Sequence, residues 1–138
     1  MSETKETPRE ARTRRLREIP HLQVGDMRQI AVPAQPGVGA HTDFRSATEC
    51  GEEIASTLVT RDMRRTRCPR CLEAHAARLT PAQRDARIVC AESDLLDHSG
   101  HVRSGLTARA RQDLVREIQV LRAANGWGPL NLAGRDPR

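Results

Sequence analysis

Large aromatic side chains are almost absent from this sequence. Its 138 residues include one phenylalanine, Phe44, one tryptophan, Trp127, and no tyrosine. A small core without large rings buries little apolar area per residue, so a fold of this size gains from a covalent or metal crosslink. The same shortage argues against a platform for single-stranded nucleic acid, because such platforms stack bases on aromatic side chains.

Long apolar runs are also missing. No stretch is long and apolar enough to predict a membrane helix, and the polar opening "MSETKETPREARTRRLRE" lacks the apolar segment of a secretory signal. The expected location is therefore the cytoplasm, where thiols stay reduced. In that compartment the four cysteines suggest a metal site or catalysis before disulfides.

Lysine is the third scarcity, since Lys5 is the only one among the 23 basic residues. A GC-rich genome produces the same skew towards arginine, so the distribution of charge says more than the net charge of +5. Arginines are dense between residues 61 and 87, whereas residues 19–60 are net acidic. The residues that we expect to contact nucleic-acid phosphates are Arg61, Arg64, Arg65, Arg67, Arg70 and Arg78.

A Cys-x-x-Cys pair, Cys68 and Cys71, lies at the start of a predicted helix. This spacing lets a tight turn bring both sulfurs to one ion, and a helix N-terminus stabilises thiolate charge. Cys50-Gly51 fits a second ligand turn, because glycine tolerates the positive φ of such turns. Three residues are open as the fourth ligand of a Zn2+ ion: His41, His75 on the same helix face as Cys71, and Cys90, whose more ordinary role is that of a buried, inert thiol.

One stretch resembles a known group of proteins. His41, Cys50-Gly51, Thr60 and "CPRCL" at residues 68–72 are similar to the His…Cys-Gly…Thr…Cys-x-x-Cys-Leu pattern of short zinc-finger-like proteins of actinobacteria and their phages. The resemblance covers roughly residues 41–73, about a quarter of the chain. It favours His41 as the fourth ligand and implies bound zinc, but it implies no particular reaction.

Three helix starts are visible in the second half of the chain. Pro69 suits the first position of a helix after Cys68, Thr80 and Gln83 form a capping-box pattern, and Thr107 is a cap for the strongest helix, at 107–124. The predicted apolar faces, in chain order, are Leu72, Ala76 and Leu79; then Ala82, Ala86, Val89 and Cys90; then Leu114, Ile118 and Leu121 with Val115.

These signals predict an α+β fold in which a zinc-knuckle module, a short hairpin plus a helix, precedes two further helices. The predicted boundaries are a disordered basic arm at 1–20, the module at 21–79, a helical region at 80–126 and a flexible tail at 127–138. Periodicity does not decide between strand and helix at residues 53–60.

The predicted function is that of a non-enzymatic binding protein. A redox Cys-x-x-Cys needs an apolar strand before its first cysteine, and "RDMRRTR" is too charged for one; the motif of zinc deaminases is absent as well. We expect duplex DNA as the partner, in gene regulation. The first alternative is an adaptor that presents Leu114, Ile118 and Leu121 of the 107–124 helix to a partner protein or a second copy. A Cys-x-x-Cys redox protein is a second, less favoured alternative.

Overall fold

The computed structural model describes residues 7–9 and 20–137. Its architecture confirms the predicted α+β class: a four-stranded sheet with three α-helices after it in the described part of the chain. The strands are β1 (His21–Val32), β2 (His41–Thr48), β3 (Glu53–Ala55) and β4 (Val59–Thr60), and the helices are α1 (Pro69–Arg78), α2 (Pro81–Leu95) and α3 (Ala108–Ala124). None of these helices is long and apolar enough to cross a membrane.

The sheet has the order β3-β2-β1-β4, with β1 and β2 as its long central hairpin. β1 and β2 pair antiparallel, with an irregularity between Gln23 and Met27 where Gly25 takes a φ of 76°. The undecided segment 53–60 consists of β3, a 3-10 turn at Ser56–Leu58, and β4. β4 pairs parallel with the start of β1 through His21 and Leu22, so the end of this segment lies beside the first residues of β1.

Local sequence signals account for where the helices begin. Pro69 lies in the first turn of α1, where an N–H would have no helical partner. The capping box at Thr80 and Gln83 is confirmed, with both reciprocal hydrogen bonds present. The side chain of Thr107 accepts a hydrogen bond from the N–H of Ala110 at 3.1 Å, which caps α3 as predicted.

The predicted apolar face of α2 is wrong. Ile88, Ala91 and Leu95 are the buried residues of this helix, whereas Val89 is 60% exposed and Cys90 is an exposed free thiol. Both sets of residues recur at helical spacing, and the face that packs is the one turned towards α3, where Ala91 and Leu95 join Leu114 and Ile118 in one apolar cluster. Cys90 is therefore not the buried, inert cysteine that we expected.

The stripe of α3 is buried as its periodicity predicted, with Leu114, Ile118 and Leu121 at most 3% exposed. All three side chains pack inside the chain, because Leu121 joins Met63, Leu72 and Ala76 of a second cluster and the other two face α2. A partner protein could reach this stripe only by displacing the core.

The structure describes the C-terminal end of the chain but little of the N-terminal end. Most of the arm at 1–20 lies outside the described residues. Residues 127–137, expected as a tail, run along α3: Leu130 and Leu132 pack on the α2–α3 cluster, and the carbonyl of Arg135 accepts from the N–H of Val102 at 2.8 Å.

Candidate metal centre

Four side chains with metal-ligating atoms meet beside the start of β1. They are His21, Cys50, Cys68 and Cys71, and one donor atom from each lies within 4.8 Å of all the others. Three of the four residues are buried and Cys50 is half-buried. This compact group of one imidazole and three thiols could hold a metal ion.

The parallel pairing of β1 with β4 delivers His21 to the cysteines. His21 is the first residue of β1 and pairs with Val59, which lies a short way before Cys68 in the chain. The carbonyl of Pro20 accepts hydrogen bonds from the N–H groups of Arg67 at 3.0 Å and Cys68 at 3.2 Å. The backbone just before His21 is thus tied directly to the backbone that carries Cys68.

Cys50 reaches the cluster from the tight turn between β2 and β3. Gly51 follows it with a φ of 86°, a conformation that side chains with a Cβ rarely adopt, and the N–H of Gly51 donates to the carbonyl of Thr48 at 2.9 Å. A hydrogen bond of 2.9 Å from the N–H of Glu49 to the carbonyl of Leu22 fixes the turn to β1. The role predicted for Cys50-Gly51 as a ligand turn agrees with this geometry.

Cys68 and Cys71 come from the N-terminus of α1. Cys68 occupies the N-cap position without a side-chain capping bond, so its sulfur is free to face the cluster, and Cys71 lies in the first turn. The positive end of the helix dipole favours thiolate charge at both positions. Their exposed fractions are 6% for Cys68 and 0% for Cys71, and both pack against Leu22.

The separations within the cluster suit a tetrahedral ion. The Nδ1 atom of His21 lies 3.5 Å from the sulfur of Cys50 and 3.6 Å from the sulfur of Cys71. Metal–ligand bonds of about 2.3 Å to sulfur and about 2.0–2.1 Å to nitrogen place these atoms about 3.6 Å apart across a tetrahedral angle. The same separation accommodates S–H···N hydrogen bonds between these side chains.

Burial shifts the pKa values of donors in the cluster. It raises the pKa of the Cys71 thiol to about 12 and lowers the pKa of His21, so both groups are neutral near pH 7. For Cys50 burial acts in the same upward direction as for Cys71, but a side-chain hydrogen bond with Thr48 and a backbone hydrogen bond with Glu52 outweigh it and lower the pKa. Cys50 is thus the thiol whose surroundings favour the thiolate.

The outer nitrogen of His21 has an unusual environment. Nε2 is buried and has no hydrogen-bond partner among the described residues. With Nε2 protonated, the lone pair of Nδ1 points at the thiols and is available to an ion. The imidazole therefore offers the cluster one ligand atom, and packing rather than a second hydrogen bond orients its ring.

No protein-family model, curated protein or solved structure matches this chain.

His41, which was expected as the fourth ligand, is not brought to the cysteines. It lies exposed at the start of β2, where Nδ1 is 3.0 Å from the carbonyl of Gly39 and Nε2 is 3.2 Å from Asp43. The fourth side chain at the cluster is His21 instead. No ligand-like spacing in the sequence pointed to His21, because its proximity to the cysteines depends on the pairing of β1 with β4.

His75, the second alternative ligand, also lies outside the cluster. Its Nδ1 is 3.1 Å from Glu49, and Arg78 donates to the same carboxylate oxygen at 2.7 Å. Because the carboxylate of Glu49 is only 6% exposed, this pair of contacts holds α1 firmly against the turn that carries Cys50. His75 thus contacts Glu49, the residue before Cys50, and is not one of the four clustered donors.

The arginines predicted to bind nucleic acid fall into three groups. Arg64 is committed within the fold: it donates to Asp94 at 2.8 Å and to Glu117 at 3.1 Å, and Glu117 is nearly buried. Arg61 and Arg78 are exposed but each donates a hydrogen bond inside the chain, to the carbonyl of Gly25 and to Glu49 respectively. The remaining three are Arg65, Arg67 and Arg70, and of these Arg65 faces Asp62 only at 3.9 Å.

Proposed function

We propose that this chain is a non-enzymatic binding protein whose fold is stabilised by Zn2+ and whose arginines bind duplex nucleic acid. The observation that carries the proposal is the set of four mutually adjacent donors, His21, Cys50, Cys68 and Cys71. A tetrahedral zinc ion is saturated by four protein ligands of this kind, which is typical of structural sites, whereas catalytic sites leave one position for water or substrate.

Burial supports a structural role over redox chemistry. A redox Cys-x-x-Cys needs an accessible first thiol, but Cys68 is only 6% exposed and Cys71 has no exposed surface. Zinc would hold the Cys71 sulfur as a thiolate and would crosslink β1, the Cys50 turn and α1.

The resemblance to zinc-finger-like proteins supports the same proposal. Cys50-Gly51 and the Cys68–Cys71 pair belong both to that pattern and to the cluster, which accounts for three of the four donors. We propose that the chain is related to this group and that His21 supplies the imidazole.

Charge and burial favour nucleic acid over a protein partner on α3. Arg65 and Arg70 are exposed near the cluster, and guanidinium groups pair well with phosphates. The apolar stripe of α3, which the alternative function would need, is occupied within the core.

The zinc part of the proposal is tested by metal analysis of the purified protein. We expect about one zinc per chain, lost in Cys68→Ser and retained in Cys90→Ser, a matched control because Cys90 is an exposed free thiol outside the cluster. Iron in place of zinc, or equal metal content in the two variants, would contradict the site.

The nucleic-acid part is tested by fluorescence anisotropy with a labelled duplex of mixed sequence. We expect binding at 50 mM salt that weakens steeply by 200 mM, because phosphate contacts release counterions. A protein that carries zinc and leaves the duplex unbound at 50 mM salt would refute this part alone.

A further inference from the structure

A cleft of about 650 Å³ lies between the strand β4 region and the start of α3. Three arginines from separate parts of the chain line it: Arg65 from a second 3-10 turn at Met63–Arg65, Arg67 just before Cys68, and Arg109 from the first turn of α3. Threonine hydroxyls complete the polar part of the lining, at Thr57, Thr60 and Thr107. Arg109 was not among the arginines that the sequence singled out.

Among the residues that the structure describes, little negative charge compensates the arginines of this cleft. Arg67 and Arg109 have no ion-pair partner within the part of the chain that the structure describes, and Arg65 faces Asp62 only at 3.9 Å with both side chains more than half exposed. The one acidic residue in the lining, Asp113, already accepts from Arg116 at 2.9 Å. Three guanidinium groups thus line a concave surface that contains one carboxylate, and that carboxylate is already paired with Arg116.

We infer that the cleft formed by Arg65, Arg67 and Arg109 binds a backbone phosphate of duplex nucleic acid. Arginine and threonine side chains are frequent phosphate contacts in protein–DNA interfaces, and a concave site concentrates the field of like charges on an anion. This inference rests on the proposed function and adds to it the surface on which the duplex lies. Because Arg67 adjoins Cys68, an ion at the cluster would fix one wall of the cleft.

The test compares two double variants, each carrying its zinc, with the wild-type protein. Arg67→Gln with Arg109→Gln removes two charges from the cleft. Arg45→Gln with Arg103→Gln removes two charges from residues outside its lining, where Arg45 meets Asp43 only at 3.9 Å and Arg103 bonds a backbone carbonyl. Binding of a labelled 20-base-pair duplex of mixed sequence is followed by anisotropy between 50 and 200 mM salt.

We expect the cleft variant to bind roughly 8-fold more weakly at 0.1 M salt and to show a salt slope that is shallower by about 0.9, since one lost phosphate contact accounts for about 0.9 of the slope. The control variant should retain the wild-type slope. If wild type binds and the two variants weaken equally, the cleft inference fails while the proposed function stands.

If the wild-type protein leaves the duplex unbound at every salt concentration, both the function and the inference fail. Vesicles of phosphatidylglycerol serve as the competing phosphate source. Binding to these vesicles that needs Arg67 and Arg109, with no binding to the duplex, would assign the cleft to a lipid surface and overturn the nucleic-acid inference.

Discussion

Replacing His21 with alanine should weaken zinc binding far more than replacing His41. Nδ1 of His21 lies 3.5 and 3.6 Å from two cysteine sulfurs, whereas His41 is exposed and bonds to Gly39 and Asp43. Structural zinc sites contribute about 10–16 kcal/mol, so an even quarter share is about 3 kcal/mol, or on the order of a hundredfold in affinity. His41→Ala should change the affinity by less than about twofold.

The assay is competition for Zn2+ against a chromophoric chelator, with folding of each variant checked by circular dichroism at saturating zinc. His21→Cys separates a lost ligand from lost packing, because it restores a fourth donor of the type that zinc accepts, and it should regain most of the affinity that His21→Ala loses. Equal affinities for the His21→Ala and His41→Ala variants would refute the assignment of His21. If only His41→Ala lowers the zinc affinity, the fourth ligand is His41, as the sequence pattern favoured.

Three further outcomes follow from burial and capping. Ile88→Ala should lower the free energy of unfolding by about 2–5 kcal/mol in urea titrations, because Ile88 is buried on α2. Val89→Ala, at the neighbouring residue, which is 60% exposed, should lower it by less than about 1 kcal/mol, and similar losses would contradict the observed face of α2. Thr80→Ala should cost about 1 kcal/mol by the same titration, since it removes one half of a complete capping box, and an unchanged midpoint would show that the box contributes nothing. Burial raises the pKa of Cys71 to about 12, so its proton must leave when zinc binds below that pH. The apparent zinc affinity, measured by chelator competition, should therefore rise at least about tenfold per pH unit between pH 6 and 8. A constant affinity over this range would be inconsistent with a protonated Cys71.

Short-range chemistry in the sequence predicted the elements well. The helix starts at Pro69, Thr80 and Thr107 depend on residues within four positions of one another, and the α+β class follows from those elements. The apolar stripe of α3 was also readable, because one face of that helix is distinctly more apolar than the others.

Long-range pairing could not be read in the same way. Two faces of α2 satisfy helical periodicity, and only contact with α3 selects Ile88, Ala91 and Leu95. In the same manner His21 becomes a neighbour of the cysteines through the parallel pairing of β1 and β4, which spans only two residues on each strand. A pairing so short leaves almost no trace in local patterns, whereas the three cysteines were identifiable from their residue type and spacing.

The spacing of the four donors along the chain determines how a bound ion affects unfolding. Cys50 lies 29 residues from His21 and Cys71 lies 50 residues from it, so an ion that joins them closes long loops. Closing a loop of the larger size stabilises the folded state by about 4 kcal/mol, because it reduces the chain entropy of the unfolded state. The apolar cluster of α2 and α3 contains none of the donors. Chelation should therefore divide one cooperative transition into two, with amide protons of β1 and β2 exchanging early while those of α2 and α3 remain protected.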